Sequence, residues 1–112
     1  MKITESGLYY VIYSNGTGEK AVIGKTATLE YTLSLMSSGT VCYSSALYGR
    51  KSFRLGYGDV ESGLQEGVML MREGDKARMI LLPHLAHGLI GDGDCIPRRA
   101  IIVYDVELVS IE

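Results

Sequence analysis

The sequence predicts an α+β fold, in which an antiparallel β-sheet has its apolar face covered by one short α-helix. Several segments alternate apolar and polar residues with the two-residue period of a strand, and one segment follows helical spacing instead. An antiparallel sheet does not leave its apolar face bare, so the helix is expected to lie across it. A chain of 112 residues can bury about two-thirds of its unfolded surface. We therefore predict a single domain over residues 1–112.

Four segments carry the strand pattern. It is clearest over 26–36, where the odd-numbered residues from Ala27 to Leu35 are apolar and the residues between them are polar. Three further strands are predicted over 8–13, 76–82 and 102–108. In the last two, alternation predicts that these side chains face the core: Ala77, Met79, Leu81, Ile102, Tyr104, Val106 and Leu108.

One segment breaks the two-residue period and predicts the helix, near 62–70. Its apolar residues recur at helical spacing: Val60, Leu64, Val68 and Met71. Ser62 stands where a hydroxyl would cap the first turn, and Gly74 stands where the chain would turn away after the helix. The predicted architecture is thus one short amphipathic helix among strands.

Composition excludes several classes of function. The net charge is -2 without a basic stripe, which argues against a nucleic-acid partner. No apolar run reaches the roughly 20 residues of a membrane span. Gly56-Tyr57-Gly58 lacks the context of a nucleotide loop, so no cofactor is predicted. The polar residues of the segment 84–95 match no metal-ligand spacing and are expected to be solvated, so no metal is predicted either: His84, His87, Asp92, Asp94 and Cys95.

A series of short motifs follows one another along the chain in a fixed order. They are Gly7-Leu8-Tyr9-Tyr10, Gly16-Thr17-Gly18, Tyr43-Ser44-Ser45, Leu55-Gly56, Gly63-Leu64-Gln65-Glu66-Gly67, Ala86-His87-Gly88, Ile96-Pro97 and Asp105-Val106-Glu107-Leu108. In order and spacing the chain from about Thr4 onwards resembles the FKBP family of peptidyl-prolyl cis-trans isomerases, in a bacterial form with a diverged pocket. The resemblance implies a bent antiparallel sheet wrapped around one helix, with a pocket between them for a Xaa-Pro segment.

Such a pocket needs no nucleophile. Rotation about the prolyl amide meets an electronic barrier of about 18 to 20 kcal/mol, because the C–N bond loses its partial double-bond character in the twisted state. The twisted amide is less polar than the planar one, so a dry cavity with one or two aimed hydrogen bonds stabilises it selectively. Aromatic walls and a few donors are sufficient.

The resemblance implies a site residue by residue. Tyr31, Val60 and Tyr104 match pocket walls, and Glu61 stands where a backbone N–H hydrogen-bonds the ligand. The complete set of implied catalytic residues is Tyr31, Tyr43, Val60, Glu61, His87 and Tyr104. The implied substrate-binding residues are Cys42, Phe53, Leu64 and Ile96.

The chain departs from the family pattern at the centre of this site. Cys42-Tyr43 replaces a Phe-Asp pair, and His87 replaces the tyrosine of an Ala-Tyr-Gly motif. We therefore expect weak isomerase activity, toward peptides with an apolar residue before proline. The alternative is a non-catalytic peptide-binding or chaperone module. The Tyr43 ring discriminates between the two: filling the cavity favours binding alone, and leaving a lined pocket favours the enzyme.

The resemblance also brings the two cysteines together. Cys42 and Cys95 each replace an apolar residue of the family, and the two positions are neighbours in the family fold. A disulfide would explain both replacements; two buried free thiols are the other interpretation. The expected partners are proline-containing polypeptides. Residues 4–8 resemble the segment that leads into the catalytic domain of exported bacterial members, which favours the cell envelope or periplasm over the cytoplasm if an export segment was removed. The compartment and the oligomeric state stay open.

Overall fold

The computed structural model describes residues 1–58, 60–86 and 91–112. Over these ranges the α+β architecture is confirmed, as seven β-strands, two short α-helices and one 3-10 turn at Pro83–Leu85. The strands are β1 (Lys2–Ile3), β2 (Tyr9–Ser14), β3 (Thr26–Leu35), β4 (Val41–Ser44), β5 (Lys51–Arg54), β6 (Lys76–Leu81) and β7 (Ile102–Ile111). The helices are α1 (Ser45–Tyr48) and α2 (Ser62–Val68).

All strand pairs are antiparallel, in the order β1-β2-β6-β7-β3-β4, with β5 also paired to β3. The long strands β3 and β7 form the centre. One edge of β3 is shared, because β5 pairs with its first half up to Leu29 and β4 pairs with its second half from Thr32. Register shifts interrupt three of the pairings, and such bulges bend and twist a strand.

The four predicted strands are confirmed, each starting within one residue of its predicted position, and their predicted inward side chains are buried except for Leu35, which is half-buried. β1, β4, β5 and α1 were not predicted. Each is two to four residues long, too short for a period to be recognised, and β4 and β5 exist through their pairing with β3. Among the described residues no helix is both long and apolar enough to cross a membrane.

The main helix, α2, covers the apolar face of the sheet and starts at Ser62 as predicted, but the prediction that Ser62 caps the first turn was wrong. Glu61 precedes the helix without a side-chain cap, and Ser62 is the first helical residue. Gly74 does mark a turn: its φ is +97°, a conformation that favours glycine, and its N–H donates to the Leu108 carbonyl at 2.8 Å.

Helix and sheet approach each other closely through two glycines one turn apart. A Cβ placed on Gly67 would lie 2.3 Å from the Met79 sulfur, and one on Gly63 would lie 2.7 Å from Cγ of Leu81. Both contacts are on β6. The core between the two layers is apolar and largely sealed, with these residues at most 2% exposed: Leu8, Leu29, Leu64, Val68, Met71, Met79, Leu81 and Leu108.

Candidate active site

A cavity of about 530 Å³ opens where the sheet extends beyond the start of α2. Strands β3, β4, β5 and β7 supply most of its wall, and the residues before α2 and around 86 and 92 supply the rest. Its lining consists of Tyr31, Leu33, Tyr43, Lys51, Val60, Glu61, Ala86, Asp92 and Tyr104. Five of the residues predicted from the sequence therefore meet at one cavity: Tyr31, Tyr43, Val60, Glu61 and Tyr104.

Two tyrosines on neighbouring strands form the aromatic wall. The ring centroids of Tyr31 and Tyr104 lie 6.2 Å apart with the planes tilted by 52°, in the range of a favourable aromatic pair. The backbone of Tyr31 falls between the segments covered by β4 and β5. The Ser45 hydroxyl forms the hydrogen bonds that this stretch of backbone would otherwise lack. It accepts from the Tyr31 N–H at 3.2 Å and donates to the Tyr31 carbonyl at 3.4 Å. The sheet edge can therefore open at the cavity without leaving this backbone unsatisfied.

The hydroxyl of Tyr104 forms a hydrogen bond within the cavity lining. Tyr104 is fully buried, and its hydroxyl donates to Oε2 of Glu61 at 2.7 Å. Burial, the charge of Glu61 and this hydrogen bond raise the pKa of Tyr104. Burial raises the pKa of Tyr31 as well, with the charge of Glu61 as the second cause. Both phenols are protonated at neutral pH, and Glu61 stands at the rim as an oriented hydrogen-bond acceptor.

A second tyrosine–carboxylate pair, Tyr43 and Asp92, belongs to the same cavity lining. The Tyr43 hydroxyl donates to Oδ2 of Asp92 at 2.5 Å. The other carboxylate oxygen, Oδ1, accepts from the backbone N–H groups of Asp94 and Ile96, both at 2.9 Å. The hydrogen bond to Asp92 is the main reason that the pKa of Tyr43 is raised to about 12, with burial and the charges of Asp92 and Asp94 adding to it. Asp92 thus braces its own loop and fixes the Tyr43 ring at the cavity wall.

A disulfide adjoins this hydrogen bond. Cys42 and Cys95 are joined with their Cα atoms 5.5 Å apart, across 53 residues of sequence. Two consecutive residues of β4, Cys42 and Tyr43, are therefore tied to the segment 92–95, one covalently and one by a hydrogen bond. Ile96 follows directly and is 3% exposed. The loop that borders the cavity is anchored to the sheet at two adjacent points.

Lys51 is the one cationic side chain among the described lining residues, and it was not predicted from the sequence. Its ammonium lies 5.1 Å from the ring centroid of Tyr31 and 5.9 Å from that of Tyr104. These distances are those of cation–π contacts. Lys51 lies two residues before the buried Phe53 and hence on the same inward face of β5, but a strand of four residues is too short for its period to show this in the sequence.

The remaining predicted residues lie behind the cavity wall or outside the described residues. Cys42, Phe53, Leu64 and Ile96 are buried in the core, from 0 to 8% exposed, and are not part of the lining. His87 falls in the segment 87–90, outside the described residues. Asp92 and Ala86, in contrast, line the cavity and were not predicted to do so. Of the other polar residues in the segment 84–95, His84 contacts the Ser6 carbonyl through Nε2 at 2.6 Å.

The comparison with protein families identifies the class. A family model described as FKBP-type peptidyl-prolyl cis-trans isomerase matches residues 17–109. The chain belongs to this family, and its fold and cavity agree with that membership. The family acts on proline-containing polypeptides.

Individual relatives agree with the family assignment. The chain is similar to FK506-binding protein 1 of Dictyostelium discoideum, at 33% identity over 95% of this chain and 99% of the relative. It is 41% identical to the FKBP-type peptidyl-prolyl cis-trans isomerase FkpA of Aeromonas hydrophila, over 100% of this chain and 41% of that protein. The crystal structure of AtFKBP13 superimposes with a TM-score of 0.92 at 29% identity, covering 98% of this chain and 97% of that one. FkpA and two further curated relatives are much longer, and the chain spans 20% to 45% of their length.

Proposed function

We propose that this chain catalyses the cis-trans isomerisation of Xaa-Pro bonds in polypeptides, with a rate reduced by the polarity of its cavity. The observation that carries the proposal is the convergence of Tyr31, Val60 and Tyr104 on one cavity beside the start of α2, in a chain of the FKBP-type family. An aromatic wall of this kind can receive a proline ring and exclude water from the amide.

The chemistry follows from the barrier to rotation. A planar prolyl amide resists twisting by about 18 to 20 kcal/mol, and the twisted state is the less polar one. The buried rings of Tyr31 and Tyr104 supply a low-polarity wall, and the backbone N–H of Glu61 is the proposed donor to the substrate. No covalent intermediate is needed, and no residue has to exchange a proton.

The proposed reduction in isomerase activity has two causes in the cavity. Tyr43 occupies a position where the family has a carboxylate, and its ring is held at the wall by Asp92. Lys51 places an ammonium over the faces of Tyr31 and Tyr104, which a proline ring would otherwise cover. A substrate that stacks on these rings has to displace the cation, and a partly exposed cation–π contact is worth about 0.5 to 1 kcal/mol.

The first experiment is a proline-limited refolding assay combined with a peptide assay that uses an apolar residue before proline. We expect measurable catalysis by the wild type, and an increase in kcat/KM of about two- to fivefold for Lys51→Met, which keeps the length of the side chain and removes the charge. Lys2→Met is the matched control, because Lys2 is an exposed lysine on β1 at the opposite edge of the sheet. If the Lys51→Met variant has normal stability but no higher activity, Lys51 is not a cause of the reduced isomerase activity.

The second candidate is a peptide-binding module without catalysis, and the charged groups in the cavity are the observation that favours it. The position of Tyr43 favours the enzyme, because its ring forms part of the wall and an open cavity remains beside it. The two functions separate when binding and turnover are measured on the same peptides. If wild type and Lys51→Met both bind proline peptides and neither accelerates isomerisation, the binding module replaces the enzyme.

A further inference from the structure

The described part of the cavity lining carries more negative than positive side chains. Among the described lining residues, two are carboxylates, Glu61 and Asp92, and one is an ammonium, Lys51. Asp94 is exposed beside them, close enough for its charge to act on the Tyr43 hydroxyl.

Both carboxylates are held in fixed positions. Glu61 accepts the hydroxyl of the fully buried Tyr104 at 2.7 Å, and Asp92 accepts the Tyr43 hydroxyl at 2.5 Å and two backbone N–H groups at 2.9 Å. A carboxylate held in this way stays at the wall instead of turning toward bulk water. Its field therefore acts on whatever enters the cavity, with less screening than at an open surface.

The ammonium of Lys51 has a different orientation. It lies over the ring faces of Tyr31 and Tyr104, at 5.1 and 5.9 Å from their centroids. Its interaction is with the aromatic wall that would receive the proline. The two carboxylates belong to other elements of the lining, one just before α2 and the other in the loop tied to β4.

We propose that the cavity selects polypeptide segments in which a lysine or arginine adjoins the proline, with Glu61 and Asp92 as the residues that determine this specificity. The inference rests on the proposed function of the cavity as a Xaa-Pro site and names its substrate class. A partly exposed charge pair changes affinity by only a few-fold. With two carboxylates in reach, the expected preference for a basic over an apolar neighbour is about three- to tenfold.

The test uses peptides that differ only in the residue before proline, with lysine, leucine or glutamate at that place, and a second set that varies the residue after proline. Dissociation constants and kcat/KM are measured for each peptide at low and at high salt. We expect affinity in the order lysine, leucine, glutamate in at least one set, with the preference shrinking in high salt.

Two variants assign the effect to the named residues. Glu61→Gln and Asp92→Asn each remove one charge while keeping an amide oxygen that can accept the tyrosine hydrogen bond, and each should reduce the lysine-to-leucine ratio by about two- to threefold. Glu107→Gln is the matched control, because Glu107 lies on the outer face of β7 and carries the same charge. Its ratio should equal that of the wild type.

The outcomes separate this inference from the proposed function. A leucine preference in both peptide sets of the wild type, or a lysine preference that neither Glu61→Gln nor Asp92→Asn reduces, would overturn the inference even if every peptide is isomerised. A lysine preference in binding that falls in the two variants supports it even if no peptide is isomerised. In that case catalysis, and not the specificity, would be disproved.

Discussion

The two ends of the apolar face of the sheet differ in the way they are completed. At one end α2 covers the face, with Gly63 and Gly67 pressed against Met79 and Leu81 of β6. At the other end α2 does not extend over the face, and a cavity remains with charged groups on its wall. The first end is held by close packing of apolar groups. The second is held by specific ties, a disulfide and a hydrogen bond between β4 and the segment 92–95. Close packing of α2 on β6 fills the space between helix and sheet, whereas the disulfide and the hydrogen bond fix the loop and leave the cavity open.

The largest effect is expected when the covalent tie is removed. Closing a loop of 53 residues restricts the unfolded chain, and the double variant Cys42→Ala with Cys95→Ala should lose about 4 kcal/mol of unfolding free energy. Chemical denaturation of wild type and variant, each with and without reductant, measures this. Reductant should destabilise the wild type alone. A wild type that shows two reactive thiols in unfolded, unreduced protein would contradict the disulfide.

The packed end should respond to the addition of a single methyl group. Gly67→Ala would place a Cβ 2.3 Å from the Met79 sulfur, so helix or side chain has to move, and we expect a loss of about 1 to 3 kcal/mol despite the better helix propensity of alanine. Ser62→Ala, at an exposed position of the same helix, is the control and should change stability by less than about 0.5 kcal/mol. Equal stability of Gly67→Ala and wild type would mean that the two layers are not tightly packed there.

The smallest effect is expected from the hydrogen-bonded tie. Tyr43→Phe removes the donor to Asp92 at a partly exposed site and should lower the unfolding free energy by less than about 1 kcal/mol at neutral pH. Because the pKa of Tyr43 in the folded protein is about 12, above the value of about 10 of a free tyrosine, its contribution is complete below pH 10. The contribution falls as the pH rises toward 12.

Spectrophotometric titration provides the matching readout for Tyr43. The Tyr43→Phe variant should lose one phenol that ionises near pH 12. A loss from the part of the curve near pH 10 would show that Tyr43 does not donate to Asp92 in solution.

The same contrast explains what the sequence could predict. In the longer elements each residue obeys the local rule, so the period of β3, β6, β7 and α2 was sufficient to place them. At the cavity the rule is broken, since Lys51 occupies an inward position of a strand too short to show a period. Glu61 and Tyr104 were both predicted to be site residues, but their hydrogen bond joins positions 43 residues apart and has no local signal. Asp92 is brought to the cavity by its loop, whose path depends on contacts that only the folded chain makes.

One irregularity of β4 determines which side chains reach the neighbouring loop. Leu33 pairs with Tyr43 but Ser34 pairs with Val41, so Cys42 is an extra residue opposite the bond between Leu33 and Ser34. In a regular strand, consecutive side chains point to opposite faces, and Cys42 and Tyr43 could not both be directed at the segment 92–95. The inserted residue shifts the alternation by one step, which lets the covalent tie and the hydrogen bond act side by side. One residue of β4 is left out of the regular pairing, and as a result the cavity wall is anchored at two adjacent positions.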